Sequence, residues 1–482
     1  MNRESVMNNS QRFIVILSGP SIFAVSALLF SSSLTLSGAQ SVGVLLWMIL
    51  WWVTRPVHVA VTSLLPIVMN ALFNIIPMEG ITRQYFSDSI ILILGSGLLC
   101  LPWASVGLDR RVALKVLSLI GPSMKSQVTV WFLASIITST IFPNVMVCAL
   151  FTPIAVAMLT ASGYKDIPSC KPAVPILLAI GWGGGIGGVG SPLGGAMNLA
   201  AISILESKIG HEFMYVDWLI RLLPFFVLIS LVSLGCMLLM PMQVKRLDGT
   251  RAWFQQQYRQ LGPMTRDEKI CAVLFLTGLL GAFTRPLYAA TLPALSPAYL
   301  YLILGGLCFV LTSAKNGPLL TWERAEKETM WGMLLLFGGG LALGNMVNDS
   351  GASAGIASLI THLSLDGGLL TLVVFTLLAR LLSETTNSTA SAAVVLPIVL
   401  GFTSKLGLNP IPYWFITVMA FNAEFMLPIS IRAIPVAYGL DARKMFKGGL
   451  VMAIVHMVMV VAVGYACLKW WHVFSYLTDY AK

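Results

Sequence analysis

The sequence predicts an all-α polytopic membrane protein of the secondary-transporter kind, and three observations carry that prediction. Of 482 residues, 57% are hydrophobic and only 10% charged, with a mean hydropathy of +0.84, whereas soluble globular chains carry about 25% charged residues. Apolar runs of the roughly 20 residues needed to cross a bilayer recur between Phe13 and Val473, about ten to twelve of them, several short or interrupted. Two of the interruptions are small and polar and stand at corresponding places in the two halves. Interrupted helices paired in this way point to a midplane binding site.

The clearer interruption is Ser383 to Pro397, S-E-T-T-N-S-T-A-S-A-A-V-V-L-P, where Glu384 to Thr389 separate two apolar runs. Lipid cannot satisfy loose backbone or hydroxyl groups, so such a stretch belongs beside a cavity. The earlier one is Thr138 to Pro153, where Pro143-Asn144 interrupts a helix running on from Gln127. Asn144 to Pro153 and Ser388 to Pro397 are both nine residues.

The first apolar run, Phe13 to Leu36, reads as a signal anchor and first span. Trp51 to Pro66 opens the next with Thr54-Arg55-Pro56, answered about 230 residues later by Thr284-Arg285-Pro286. Ile91 to Leu99 surrounds Gly95-Ser96-Gly97, and Leu334 to Leu343 surrounds Gly338-Gly339-Gly340. Each apolar arm is too short to span, so re-entrant hairpins are expected at about 88–107 and 330–351. Gly95 to Asn144 is 49 residues and Gly338 to Ser388 is 50. The expected halves are therefore 1–245 and 246–482, with broken helices around 143–145 and 387–389. An odd number of spans per copy would invert the second. Ile180 to Asn198 is dense in glycine, and Asn422 to Tyr438 stands as its counterpart.

The net charge of +10 raises nucleic acid as a partner, but the basic residues lie in short connections between apolar runs. The positive-inside rule accounts for them. It puts Gln243 to Lys269 in the cytoplasm, and Arg3 and Arg12 put the N-terminus on the same side. Seven scattered cysteines and five histidines (His58, His211, His362, His456, His472) show no ligand spacing, so neither a disulfide framework nor a metal or cofactor is expected. Gly185 to Gly190 matches G-x-G-x-x-G but lacks a preceding strand, and reads as packing. Asp349 reads as a solvated tip residue. No H-E-x-x-H, G-x-S-x-G or ring of acids argues for an enzyme or a channel.

Taken together these stretches resemble the divalent anion:sodium symporter (DASS) family of di- and tricarboxylate carriers. Glu384 to Ile398 resembles its E-F-T-S-N-T-A-T-T-x-L-x-L-P-I, and Trp331 to Leu343 its P-W-G-x-L-L-L-F-G-G-G-L-A-L. Trp51 to Pro66 resembles W-W-x-T-E-A-I-P-x-x-V-T-A-L-L-P, with Arg55-Pro56-Val57-His58 in place of E-A-I-P. The resemblance implies two inverted-topology repeats, an elevator-type carrier in the cell membrane and a homodimer. It places substrate contacts on Pro143, Asn144 and Val145 in one loop and Asn387, Ser388 and Thr389 in the other. It adds Ser191, Gly194 and Gly195 where the family has its first T-P-P-N.

The departures set the expected mechanism. Pro143 and Val145 remove two hydroxyls from the first loop, and Arg432 stands where the second T-P-P-N would be. A guanidinium repels sodium over a few ångströms in low dielectric. Arg432 is therefore expected to compensate the substrate's charge, aided by helix N-termini near Asn144 and Ser388. A competing reading pairs Arg432 with Glu424; Arg380 and Glu384, four apart, read as an intrahelical pair. The expected function is sodium-independent exchange of C4/C5 dicarboxylates (succinate, malate, fumarate, 2-oxoglutarate), because an empty carrier bearing a fixed charge returns only at a cost. The alternatives are a sodium-coupled di/tricarboxylate symporter and a passive anion channel.

Overall fold

Helices dominate because a chain crossing hydrocarbon must satisfy its own backbone. The computed structural model describes residues 8–31, 34–314, 317–353, 355, 365–422 and 424–478; Arg3, His362 and Ala423 lie outside the described residues. Among these, nine helices are long and apolar enough to cross a membrane.

α1 (Asn9–Phe30) packs along α2 (Leu36–Thr54), with Trp51 Nε1 donating to the Val15 carbonyl at 3.1 Å. Phe13, Leu17, Leu28 and Leu29 face outward, as lipid contact requires. After short helical turns at Val59–Thr62 and Leu65–Phe73 come α3 (Asp88–Val106) and α4 (Leu108–Leu117), joined at Gly107 with φ +83°.

The expected hairpin at 88–107 is not formed: α3 is one uninterrupted helix of 19 residues. Its glycine serves a crossing. A Cβ on Gly95 would meet the Leu302 backbone nitrogen at 2.5 Å, and one on Gly305 the Gly95 carbonyl at 2.8 Å. This is the small-residue packing that lets membrane helices approach closely.

The chain folds back instead between α5 (Met124–Ile141) and α6 (Asn144–Ala161). Pro143 disfavours the helical region for the residue before it, and Phe142 is extended at φ −110°, ψ 152°. Trp131 and Phe151, on opposite arms, meet at 6.0 Å between ring centroids. α7 (Ala173–Gly187) then lies against α5: Cβ atoms on Gly183 and Gly187 would fall 2.8 Å from the Phe132 carbonyl oxygen and 2.5 Å from that of Ile136. After an irregular stretch come α8 (Ala196–Ile209) and α9 (Tyr215–Leu239).

The basic connection holds α10 (Thr250–Gln260) and leads into α11 (Arg266–Phe283) through a Thr265–Glu268 capping box. Glu268 also binds Arg111 of α4 at 2.7 Å, while the same guanidinium donates to the carbonyls of Leu261, Gly262 and Pro263. Arg111→Met is expected to cost about 1.5–3 kcal/mol, the range for hydrogen bonds to charged groups. It should lower the Tm of the detergent-solubilised protein; an unchanged Tm would show that the connection is held elsewhere.

α12 (Pro297–Val310) precedes α13 (Trp331–Asp349). α13 is again one continuous helix of 19 residues, not the hairpin expected at 330–351. Cβ atoms on Gly338 and Gly340 would meet the Tyr85 ring at 2.8 Å and the Ala393 Cβ at 2.9 Å, and one on Gly339 would overlap the Ser63 carbonyl oxygen. The second fold-back joins α14 (Leu369–Thr385) to α15 (Ser388–Lys405). Phe375 and Phe402 lie 5.2 Å apart across it, and Ser391 Oγ donates to the Ala379 carbonyl at 2.7 Å. α16 (Pro410–Phe421) and α17 (Ala442–Trp470) follow, with an irregular stretch between them and a short turn, His472–Ser475, after α17.

Candidate functional site

Two helical hairpin tips and two irregular stretches make the site. At the first tip Pro143 precedes α6 without a side-chain cap, and Pro143, Asn144 and Val145 are half-buried. At the second, Asn387 Oδ1 accepts from the Ala390 amide at 2.9 Å and caps α15. Asn387 and Ser388 are half-buried and Thr389 is buried. Each tip therefore presents the free amides of a helix N-terminus, with roughly half a positive charge.

Beside the first tip runs Gly188 to Gly195, between α7 and α8. Its loosened carbonyls are met one by one. Asn198 Nδ2 donates to Gly188 at 2.7 Å and to Ser191 at 2.9 Å, and Trp218 Nε1 donates to Val189 at 2.8 Å. Ser191 Oγ donates to the Thr140 carbonyl and accepts from the Leu193 amide. A Cβ on Gly194 would fall 2.6 Å from the Ser139 carbonyl oxygen, so only glycine fits there, and one on Gly195 would collide with Met197. Ser191, Gly194 and Gly195 are buried and engaged in building this loop, while Asn144 remains accessible, its Nδ2 close to Gly188.

The second irregular stretch, Asn422 and Glu424 to Arg432, packs against α7 and α8, the helices that flank the first. Asn422 Nδ2 donates to Asn198 Oδ1 at 2.9 Å, Trp182 Nε1 to the Phe425 carbonyl at 3.1 Å, and Trp414 Nε1 to that of Ala201 at 3.0 Å. Ile431 reaches the glycines of α7, with Cδ1 3.7 Å from where a Gly185 Cβ would stand. Gly449 of α17 lets that helix press on the Phe425 carbonyl.

Arg432 does not face this site as a free cation. Its Nη1 lies 2.8 Å from Glu384 Oε2 and its Nη2 2.6 Å from Glu424 Oε2, and its side chain is 1% exposed. Glu384 also accepts from the amides of Phe425 and Met426, and Glu424 from Ser383 Oγ at 3.0 Å and Ser388 Oγ at 2.6 Å. Arg380 stands 3.8 Å from Glu384, places Nη1 2.9 Å from His456 Nδ1, and lies over the Phe425 ring at 5.1 Å. Two guanidinium groups face two carboxylates, so the formal charges of the four side chains cancel. The competing reading of Arg432 as a partner of Glu424 holds, and the expectation of an uncompensated charge does not. The intrahelical pair of Arg380 and Glu384 is present but longer than the bridge to Arg432.

Several residues of the site escape a reading of the sequence. Glu384 pairs across 48 positions and Asn198 with Asn422 across 224, distances at which no spacing rule operates. The one signal is that both asparagines sit at the edges of irregular stretches. His456, read as a packing residue, is the partner of Arg380.

Three kinds of comparison bear on this arrangement. The family described as "Citrate transporter" matches residues 49–420. The sodium-dependent dicarboxylate transporter SdcS of Staphylococcus saprophyticus is 26% identical over 481 residues, 96% of this chain and 92% of the relative. Its counterpart in Staphylococcus aureus strain RF122 is 26% identical over 474 residues, 94% and 91% of the two chains. The crystal structure of the YdaH transporter of Alcanivorax borkumensis shares the fold, with a TM-score of 0.51 at 13% identity over 82% of this chain and 88% of that one.

Helices that cross, hairpins with polar tips and irregular stretches between spans define a polytopic membrane transporter. The chain belongs to the citrate transporter family, among the DASS carriers.

Proposed function

We propose that the protein carries dicarboxylate anions across the cell membrane in symport with sodium. The observation that carries this reading is the double pairing of Arg432 with Glu384 and Glu424. A dicarboxylate brings about two negative charges, and two helix N-termini return roughly half a charge each. With the cluster neutral, the remainder must be balanced by a cation that travels with the substrate, because a bare charge is costly in a membrane. The staphylococcal relatives, named as sodium-dependent dicarboxylate transporters, support the same choice. The exchange reading rested on an unpaired guanidinium, whereas Arg432 is held by two carboxylates.

In this reading the Asn144 side chain and the amides of Asn144, Val145, Ser388 and Thr389, which open α6 and α15 next to Pro143 and Asn387, hold the two carboxylates. Sodium is held by neutral oxygens near the first tip. Asn422 Oδ1, buried without a partner one hydrogen bond from Asn198, is an acceptor of the kind such an ion would satisfy. Residues 1–245 and 246–482 are two inverted repeats, the hairpins and irregular stretches move as one elevator, and a homodimer supplies the stationary part. The N-terminus and the basic connection face the cytoplasm.

The test is uptake of labelled succinate into empty proteoliposomes. An inward sodium gradient should drive accumulation, and replacing sodium with potassium should return it to background. If instead uptake needs succinate inside and ignores sodium, the exchange reading is restored.

A further inference from the structure

A cavity of about 610 Å³ lies away from the hairpin tips, between the starts of α7 and α17 and the end of α9. Pro175, Leu178, Leu239, Met240, Met242 and Val451 line it, so its walls are apolar. At its mouth stand Lys171, just before α7, and Lys444 and Lys447 in the first turns of α17. All three lysines are exposed, and none forms a salt bridge within the described residues. Lys444 and Lys447 are three apart and share one helix face. Gln243 and Val244, where the basic connection begins, also border the cavity.

We propose that this cavity is a binding site for an anionic phospholipid, with the headgroup phosphate among Lys171, Lys444 and Lys447 and an acyl chain in the cleft. Two independent features select that occupant. The lysines stand at helix ends, where the bilayer's polar layer begins, and supply charge that nothing else in the described structure answers. The walls behind them offer almost no hydrogen-bonding partner, which suits a hydrocarbon tail and would leave a dicarboxylate unsatisfied. A free phosphate would fill a small part of the volume and leave the apolar surface uncovered. The adjoining face of α17 exposes Phe446, Leu450 and Ile454, so the cleft opens toward lipid and a chain can enter from the bilayer. Because α7 and α17 both border the second irregular stretch through Trp182 and Gly449, the bound lipid would touch the elements that carry the tips.

The test uses the full chain in a neutral detergent and native mass spectrometry. Phosphatidylglycerol should be retained over phosphatidylcholine of the same chain length, and millimolar inorganic phosphate should not displace it. The triple variant K171Q/K444Q/K447Q should bind phosphatidylglycerol at least about tenfold more weakly, because juxtamembrane lysines act on anionic lipid roughly one by one. Val451→Trp, which fills the cleft and leaves the lysines, should weaken both lipids. Equal retention of the two lipids, displacement by phosphate, undiminished binding by the triple variant or indifference to Val451→Trp would each overturn the assignment.

Discussion

Replacing Arg432 with methionine is expected to destabilise the protein by about 3–5 kcal/mol, because it leaves two buried carboxylates without their cation. Uptake should vanish with it. Arg432→Lys should fall between, since one ammonium cannot reproduce the two separate Nη contacts. The informative variant is R432M/E424Q, which removes one charge of each sign and leaves Arg380 its carboxylate, Glu384. Replacing a buried ion group with neutral side chains of similar size is often neutral for stability, so its Tm should recover most of what the single variant loses. Its transport should not recover, because Ser388 donates its hydroxyl to Glu424 and the tip is positioned through that bond. A single variant as stable as the parent would show that the network carries little of the fold.

Gly339→Ala should lower stability by about 1–3 kcal/mol, the usual cost of forcing an extra methyl group into a filled core. A Cβ there would overlap the backbone carbonyl of Ser63, and a backbone atom cannot swing aside as a side chain would. Gly97→Ala is the matched control. It lies in α3, within the other glycine-rich run, and nothing stands within 4 Å of where its Cβ would be. Alanine is the better helix former by about 1 kcal/mol, so this variant should be as stable as the parent or more so. Equal losses of Tm in the two variants would mean that the runs are needed for chain reversal rather than for helix contact.

That contrast locates what a reading of the sequence delivers and where it stops. Proline and asparagine after an apolar run announce that a helix ends, and Phe142-Pro143-Asn144 and Thr386-Asn387-Ser388 do end theirs. They do not say whether the chain goes on or doubles back. That depends on whether aromatic pairs such as Phe375 and Phe402 meet, which are contacts across space. Glycine is ambiguous in the same way. Gly95 and Gly339 read as turning points, yet each sits in mid-helix where another backbone crosses. Electrostatics is legible as a list of charged residues but not as pairs. The four-residue spacing points from Glu384 to Arg380, whereas the closest cation is Arg432, 48 positions on.

The hydrogen bonds from Asn422 to Asn198, from Trp182 to Phe425 and from Trp414 to Ala201 each join a residue of one half to a residue of the other. Two of them tie the second irregular stretch to α7 and α8, which flank the first, and the third ties α16 to α8. The two sides of the site are thus cross-bonded through buried amide and indole donors, each of which would be stranded without an acceptor if the halves parted.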